Sequence, residues 1–200
     1  MGNQPKRIAV YGSAGSMPGS QDYENAYLVG KTLAEAGYTV LTGGYSGVMD
    51  AASKGAHDAG GRVIGVTVGL FRDRGLVPTP FLHEEIHLPT LTERLIYLVT
   101  EPDAYVIMRG GIGTLAELTL AWSLMQVREI PQRPLVLVGE QWTKFAPHFA
   151  QISTIEPRDL RYLTLVEYPE DVVPAMNQWW ENPPQISPRI GDQTIQVPKP

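Results

Sequence analysis

The sequence predicts an α/β domain: a doubly wound, mostly parallel sheet with helices on both faces. Two observations carry this. Short apolar segments recur along the chain, and each leads through glycine or a polar turn into a stretch with helical periodicity. A hydrophobic content of 43% over 200 residues supplies one sizeable core and is too little for two comfortable ones.

In chain order, the first strand is the apolar run at 8–11, "IAVY", which ends at Gly12; a helix at 23–36 follows. The second strand, 39–41, runs into Gly43 and Gly44 and then a helix at 47–59. A third strand is read at 63–68, "VIGVTV". The helix at 91–100 opens with Thr90-Leu-Thr-Glu93, a capping box in which threonine and glutamate satisfy each other's backbone N–H groups. The fourth strand, 104–108, enters the glycine-rich turn "RGGIG" and a helix at 115–127; the fifth is "LVLV" at 135–138. A shorter helix after Gln141 and a last one before Trp180 complete a Rossmann-like domain over 1–182. Residues 183–200 contain five prolines and few large apolar residues, which predicts a flexible tail or an arm laid on a partner subunit.

Composition removes several functions. Lys and Arg number 16 against 21 Asp and Glu, a net charge of −5, with no basic stripe to neutralise a nucleic-acid backbone. There is no cysteine, hence no disulfide, thiolate nucleophile or cysteine zinc site. No apolar run is long enough to span a membrane or act as a signal sequence, so a soluble cytoplasmic protein is expected. His57, His83, His87 and His148 are too scattered for a metal triad. His83 and His87 are four apart, but "FLHEEIHLP" alternates and ends in proline, so a strand is at least as good a reading as a helix. No metal and no organic cofactor is expected. Ser13 and Ser46 lack a G-x-S-x-G elbow.

In sheets of this type ligands bind beyond the carboxyl ends of the strands, so the loops at Gly12, Gly43 and Gly110 line one pocket if their strands are neighbours. The common nucleotide motifs fail there. "GSAGSMPGS" has Ala14 where G-x-G-x-x-G needs its second glycine, and no loop reads G-x-x-x-x-G-K-[ST]. Gly110, Gly111 and Gly113 between a strand and a helix do make a phosphate cradle, because backbone and helix N-terminus can approach an anion closely.

Glu117 is the only charged residue between Gly110 and Val127, on a helix apolar around most of its circumference. A second capping box, Thr114-Leu-Ala-Glu117, is the ordinary explanation. A buried carboxylate with a partner or a purpose is the functional one. Arg94, at the edge of the stripe Leu91, Leu95 and Leu98, either snorkels to solvent, pairs with Glu117 or clamps a phosphate.

These residues resemble the LONELY GUY (LOG) family, long labelled possible lysine decarboxylases and containing cytokinin-activating nucleoside 5′-monophosphate phosphoribohydrolases. The resemblance covers roughly 7–139. The family's P-G-G-x-G-T-x-x-E is matched by Arg109-Gly-Gly-Ile-Gly-Thr-Leu-Ala-Glu117, and its upstream E-R pair by Glu93-Arg94. "VYGSAGS" and "LTGGYSGVMDAASKGA" are similar too. The resemblance implies that Arg94 and Glu117 are catalytic and that Gly110, Gly111, Gly113 and Thr114 hold a 5′-phosphate. It further implies that Gly12, Ser13, Gly43, Gly44, Gly47 and Met49 line the nucleotide pocket of a homodimer or higher homo-oligomer. Arg109 replaces the motif's proline, and "TLTERL" replaces the M-H-E-R-K context. Related proteins of this fold include carriers of molybdenum cofactor, which keeps non-catalytic carriage of a phosphorylated heterocycle as the alternative. The decarboxylase label gains nothing: pyridoxal chemistry needs a Schiff-base lysine, and no lysine falls in the glycine rim.

Overall fold

A computed structural model describes residues 4–186. Seven strands form one parallel sheet: β1 Arg7–Tyr11, β2 Thr39–Thr42, β3 Val63–Val68, β4 Glu84–Leu88, β5 Ala104–Ile107, β6 Leu135–Val138 and β7 Thr164–Val166. Their spatial order is β4-β3-β2-β1-β5-β6-β7, and every neighbouring pair is parallel. The chain winds outward from β1 in one direction and from β5 in the other, so the switch point lies between these two strands, where Ile8 pairs with Ala104 and Tyr11 with Ile107.

Among the described residues eight α-helices accompany the strands, the last following β7: α1 Gln21–Glu35, α2 Val48–Asp58, α3 Gly69–Asp73, α4 Leu91–Thr100, α5 Ile112–Gln126, α6 Glu140–Gln151, α7 Pro157–Leu160 and α8 Val172–Glu181. Two cores follow from the period-two alternation of each strand. Ile8 and Val10 join Val40, Val106 and Val136 under α1, α2 and α8. Ala9 and Tyr11 join Leu41, Tyr105, Ile107 and Leu137 under α4, α5 and α6. The central strands are therefore apolar on both faces, the condition that produced their unbroken apolar runs.

The five expected strands are present, with two more. β4 is the alternating segment "EEIHL", an edge strand whose polar residues remain partly exposed. β7 has only three residues. The helix expected at 115–127 begins three residues earlier, at Ile112. Of the segment 183–200, the described part is 183–186, where Ile186 is buried in the α4–α6 core and its carbonyl accepts from Arg128 and Gln132. The expectation for 187–200 lies outside the described residues.

Candidate active site

The loops after β1, β2 and β5 converge because their strands are adjacent. Ser13 links them through its backbone: its N–H donates to the Arg109 carbonyl at 3.0 Å, and its carbonyl accepts from the Val48 N–H at 2.9 Å. Beside this junction is a cavity of about 380 Å³. Arg94 and Glu117 both line it. So do Gly12, Ser13, Gly43, Met49, Gly111, Gly113 and Thr114 among the residues singled out in the sequence. Gly44, Gly47 and Gly110 do not.

Those three act behind the wall. The Gly44 N–H donates to Thr42 Oγ1 and its carbonyl accepts from Thr79, with φ at +77°. Gly47 starts α2 at φ +70°, where a Cβ would strike the Ser13 carbonyl 2.2 Å away; close packing of the first two loops therefore demands glycine there. Gly110 lies under the Thr114 side chain, and a Cβ would fall 2.1 Å from Thr114 Oγ1. At Gly111 and Gly113, by contrast, a Cβ would meet no heavy atom within 4 Å. They are the open part of the turn.

Arg94 is only 7% exposed, so it does not snorkel. Its Nε donates to the Val66 carbonyl at 2.7 Å and a terminal nitrogen donates to the Gly43 carbonyl at 2.9 Å. The guanidinium also lies 5.6 Å from the Phe71 ring and 5.9 Å from the Tyr45 ring, within cation–π range. Gly43 permits this arrangement, since a Cβ there would sit 2.1 Å from the guanidinium. Desolvation lowers the Arg94 pKa, and the Glu117 charge acts in the opposite sense.

The second capping box does not form. α5 is capped by Gly111 without a side-chain hydrogen bond, and Thr114 is buried in the first turn. Glu117 is thus one turn further in, on the face turned to the cavity. Among the described residues no hydrogen bond or ion pair engages its carboxylate. Burial raises its pKa from 4.5 to about 7, and the Arg94 charge only partly offsets that rise. By surface exposure Glu117 is half-buried, because one side faces the cavity; the protein packed around the other sides dominates its ionisation. Arg94 therefore influences Glu117 through space, while its own hydrogen bonds go to the Val66 and Gly43 carbonyls and, at 3.9 Å, to Met49 Sδ. Of the expected alternatives, direct pairing of Arg94 with Glu117 is not formed.

Sequence reasoning missed the apolar part of the wall: Tyr11, Phe71 and Leu91. Tyr11 donates to the Leu98 carbonyl, and its pKa is raised well above 10 by burial first and by Glu117 second. The signal for Tyr11 was its position at the end of the central strand; Phe71, on the short α3, left no pattern. Among the described residues no cluster of His, Asp and Glu could hold a metal ion, and no helix is long and apolar enough to cross a membrane.

A model of the SLOG cluster4 family matches residues 5–142. The chain is 34% identical over 131 residues to the cytokinin riboside 5′-monophosphate phosphoribohydrolase LOG of Oryza sativa subsp. japonica, covering 63% of this chain and 53% of that protein. It is 33% identical over 117 residues to the cytokinin riboside 5′-monophosphate phosphoribohydrolase of Mycobacterium tuberculosis, covering 58% and 62%. Each match spans only somewhat more than half of the relative's length. Among solved structures, the molybdenum cofactor binding protein of Rippkaea orientalis superposes with a TM-score of 0.68 at 25% identity, over 87% of this chain and 96% of that one.

Proposed function

The chain belongs to the SLOG cluster4 family, and from that premise we propose that it is a nucleoside 5′-monophosphate phosphoribohydrolase. The observation that carries this reading is a lone carboxylate, Glu117, and a buried guanidinium, Arg94, on one cavity that also contains the open turn at Gly111 and Gly113. The named activity of the rice and mycobacterial relatives supports it.

In this reading the 5′-phosphate binds at the N-terminus of α5, where unpaired N–H groups and the helix dipole favour an anion. Thr114 contributes by packing on Gly110 and holding the turn. Phosphate binding then positions the ribose, so remote contacts help the reacting carbon. As the C1′–N bond breaks, its electron pair leaves with the base and positive charge builds on the sugar ring. The Glu117 carboxylate stabilises that charge and accepts a proton from the water that adds to C1′, while the departing base takes a proton from solvent. The products are free base and ribose 5-phosphate. Arg94 favours the ionised form of Glu117 against desolvation. No organic cofactor or metal is required by this scheme.

Incubation with AMP and with a cytokinin monophosphate, followed by chromatography of free base and ribose 5-phosphate, tests it. Equimolar release of both products is expected; tight binding without release would reject it. One observation favours a second reading, carriage of a phosphorylated heterocycle: the likeness to the molybdenum cofactor binding protein spans nearly the whole of that chain. A cellular role retained in Glu117→Gln would support carriage, whereas retained ligand affinity is expected in either reading. Homodimerisation belongs to the same proposal. Leu91, Ile96, Ile112 and Val127 leave apolar surface on α4 and around α5, with Ile112 82% exposed. Sedimentation velocity is expected to give twice the 22.0 kDa chain mass.

A further inference from the structure

The phosphate end of the candidate site is not closed. Ser13 and Gly111 line both the cavity that contains Glu117 and a second cavity of about 510 Å³, so the two spaces meet along shared walls. Their chemistry differs. Around Arg94 and Glu117 the first has the apolar wall Tyr11, Met49, Phe71 and Leu91; beyond the shared Ser13 the second is lined by Ser16, Ser20, Asp22 and Arg109. Arg109 occupies the position where the resembling motif has proline, a residue with no charge and no donor to offer. Its backbone carbonyl still accepts from Ser13, so the loop junction needs nothing from its side chain. That side chain is 69% exposed, and its one ion pair among the described residues is with Asp22 at 3.7 Å. A pair so long and so exposed holds a guanidinium weakly.

We propose that the second cavity takes a further phosphoryl group, so that the site proposed to hydrolyse monophosphates also binds nucleotides carrying a 5′-diphosphate, either a nucleoside diphosphate or an ester of one, with Arg109 binding the outer phosphoryl. This rests on reading the first cavity as a nucleotide site. A phosphoryl at the open Gly111 turn lies at the shared wall, and its next substituent enters the space that Arg109 and the serine hydroxyls line. A monophosphate held in the first cavity has no second phosphoryl to offer Arg109, whose ion pair is then with Asp22. Guanidinium is the side chain best matched to two phosphoryl oxygens at once, whereas proline at this position gives no such discrimination. Asp22 competes for the same guanidinium and repels the incoming anion. Its removal therefore strengthens diphosphate binding, a sign opposite to that of removing Arg109.

Titration calorimetry with AMP, ADP, ADP-ribose and inorganic pyrophosphate on the Glu117→Gln protein, whose turnover the hydrolase reading expects to be strongly slowed, measures the preference. Thermal shift of the otherwise unmodified protein with the same ligands provides the second readout. ADP or ADP-ribose is expected to bind at least about tenfold more tightly than AMP. Preference for ADP identifies a free diphosphate, and preference for ADP-ribose an ester. Arg109→Ala and Arg109→Pro are expected to erase the advantage while changing AMP affinity less than about threefold, and Asp22→Asn to increase it. Equal affinities for AMP and both diphosphates, equal losses for all ligands on replacing Arg109, or no gain from Asp22→Asn would overturn the proposal. Base release from AMP by the unmodified protein is measured separately, so the second cavity can fail while the hydrolase reading stands. Absence of binding by every nucleotide would overturn both.

Discussion

Two helices of this protein start near the same four-residue pattern, Thr-x-x-Glu, and use it in different ways. At α4 the pattern does what local physics favours: Thr90 accepts from the Glu93 N–H, Glu93 accepts from the Thr90 N–H, and the helix end is satisfied without help. At α5 the same pattern is displaced inward by one turn. Gly111 caps the helix without a side chain, Thr114 is buried, and Glu117 reaches a cavity. A closed helix end makes a structural element; an open one keeps its N–H groups for something else. The difference is set by where the helix begins, which is decided by the tight exit from β5 through Gly110 and Gly111.

The largest effect that would break this contrast comes from the opposite wall. Arg94→Ala leaves the Val66 and Gly43 carbonyls without their buried donor and empties a packed volume, so a loss of about 3 kcal/mol is expected in denaturant unfolding. The same variant removes the one charge that lowers the Glu117 pKa, so Glu117 should ionise at a pH above about 7. Arg94→Lys should recover only part of the stability, because a single ammonium does not reproduce the fork that spans both carbonyls.

Glu117→Gln is expected to act on stability with a specific pH dependence. Burial raises the carboxyl from 4.5 to about 7, so the folded state holds this proton more tightly than the unfolded chain does. The resulting stabilisation is fully present below the unfolded value and is lost as pH rises through about 7. Above that pH the unmodified protein carries a desolvated carboxylate that the amide lacks. Thermal or urea unfolding at pH 8 should therefore find Glu117→Gln more stable by up to about 3 kcal/mol, with the gap closing toward pH 4.5. Because the ionised carboxylate is the working form in the proposed scheme, turnover should rise with pH through the same region.

Gly111→Ala sharpens the comparison at the helix end itself. The added methyl meets no protein atom within 4 Å, so unfolding should change little, while the anion loses its close approach and nucleotide affinity should fall by about tenfold. The smallest effect is expected at the closed end. Thr90→Ala removes one side of the α4 cap and should cost about 1 kcal/mol in stability, with nucleotide affinity unchanged.

Much of this contrast was legible in the sequence, and the limits were physical. The central strands announced themselves because burial on both faces enforces apolar runs, as at 8–11 and 135–138. β7, three residues and half-exposed, carries no such constraint. β4 alternates because it is an edge, so its polar residues obscured a strand that was visible only as an alternative to a metal-binding helix. The capping frame of α5 was ambiguous because Gly111, Ile112 and Gly113 look like loop; helix propensity is poor there, and the exit from β5 decides the matter. Arg94 and Glu117 stood out as charges on apolar helices, but the backbone carbonyls that hold Arg94 come from β3 and the β2 loop, contacts across the fold that no local pattern encodes. Phe71 was illegible for the same reason.

The matched pair Glu93→Gln and Glu117→Gln tests the central claim most directly, with base release from a nucleoside 5′-monophosphate as the readout. Glutamine preserves the cap at α4, so Glu93→Gln should turn over within about twofold of the unmodified protein, whereas Glu117→Gln should fall by about 10²- to 10³-fold while still binding nucleotide. Equal rates for the two variants, or a Glu117→Gln protein that releases base at the unmodified rate, would contradict the assignment of the chemistry to the open helix end.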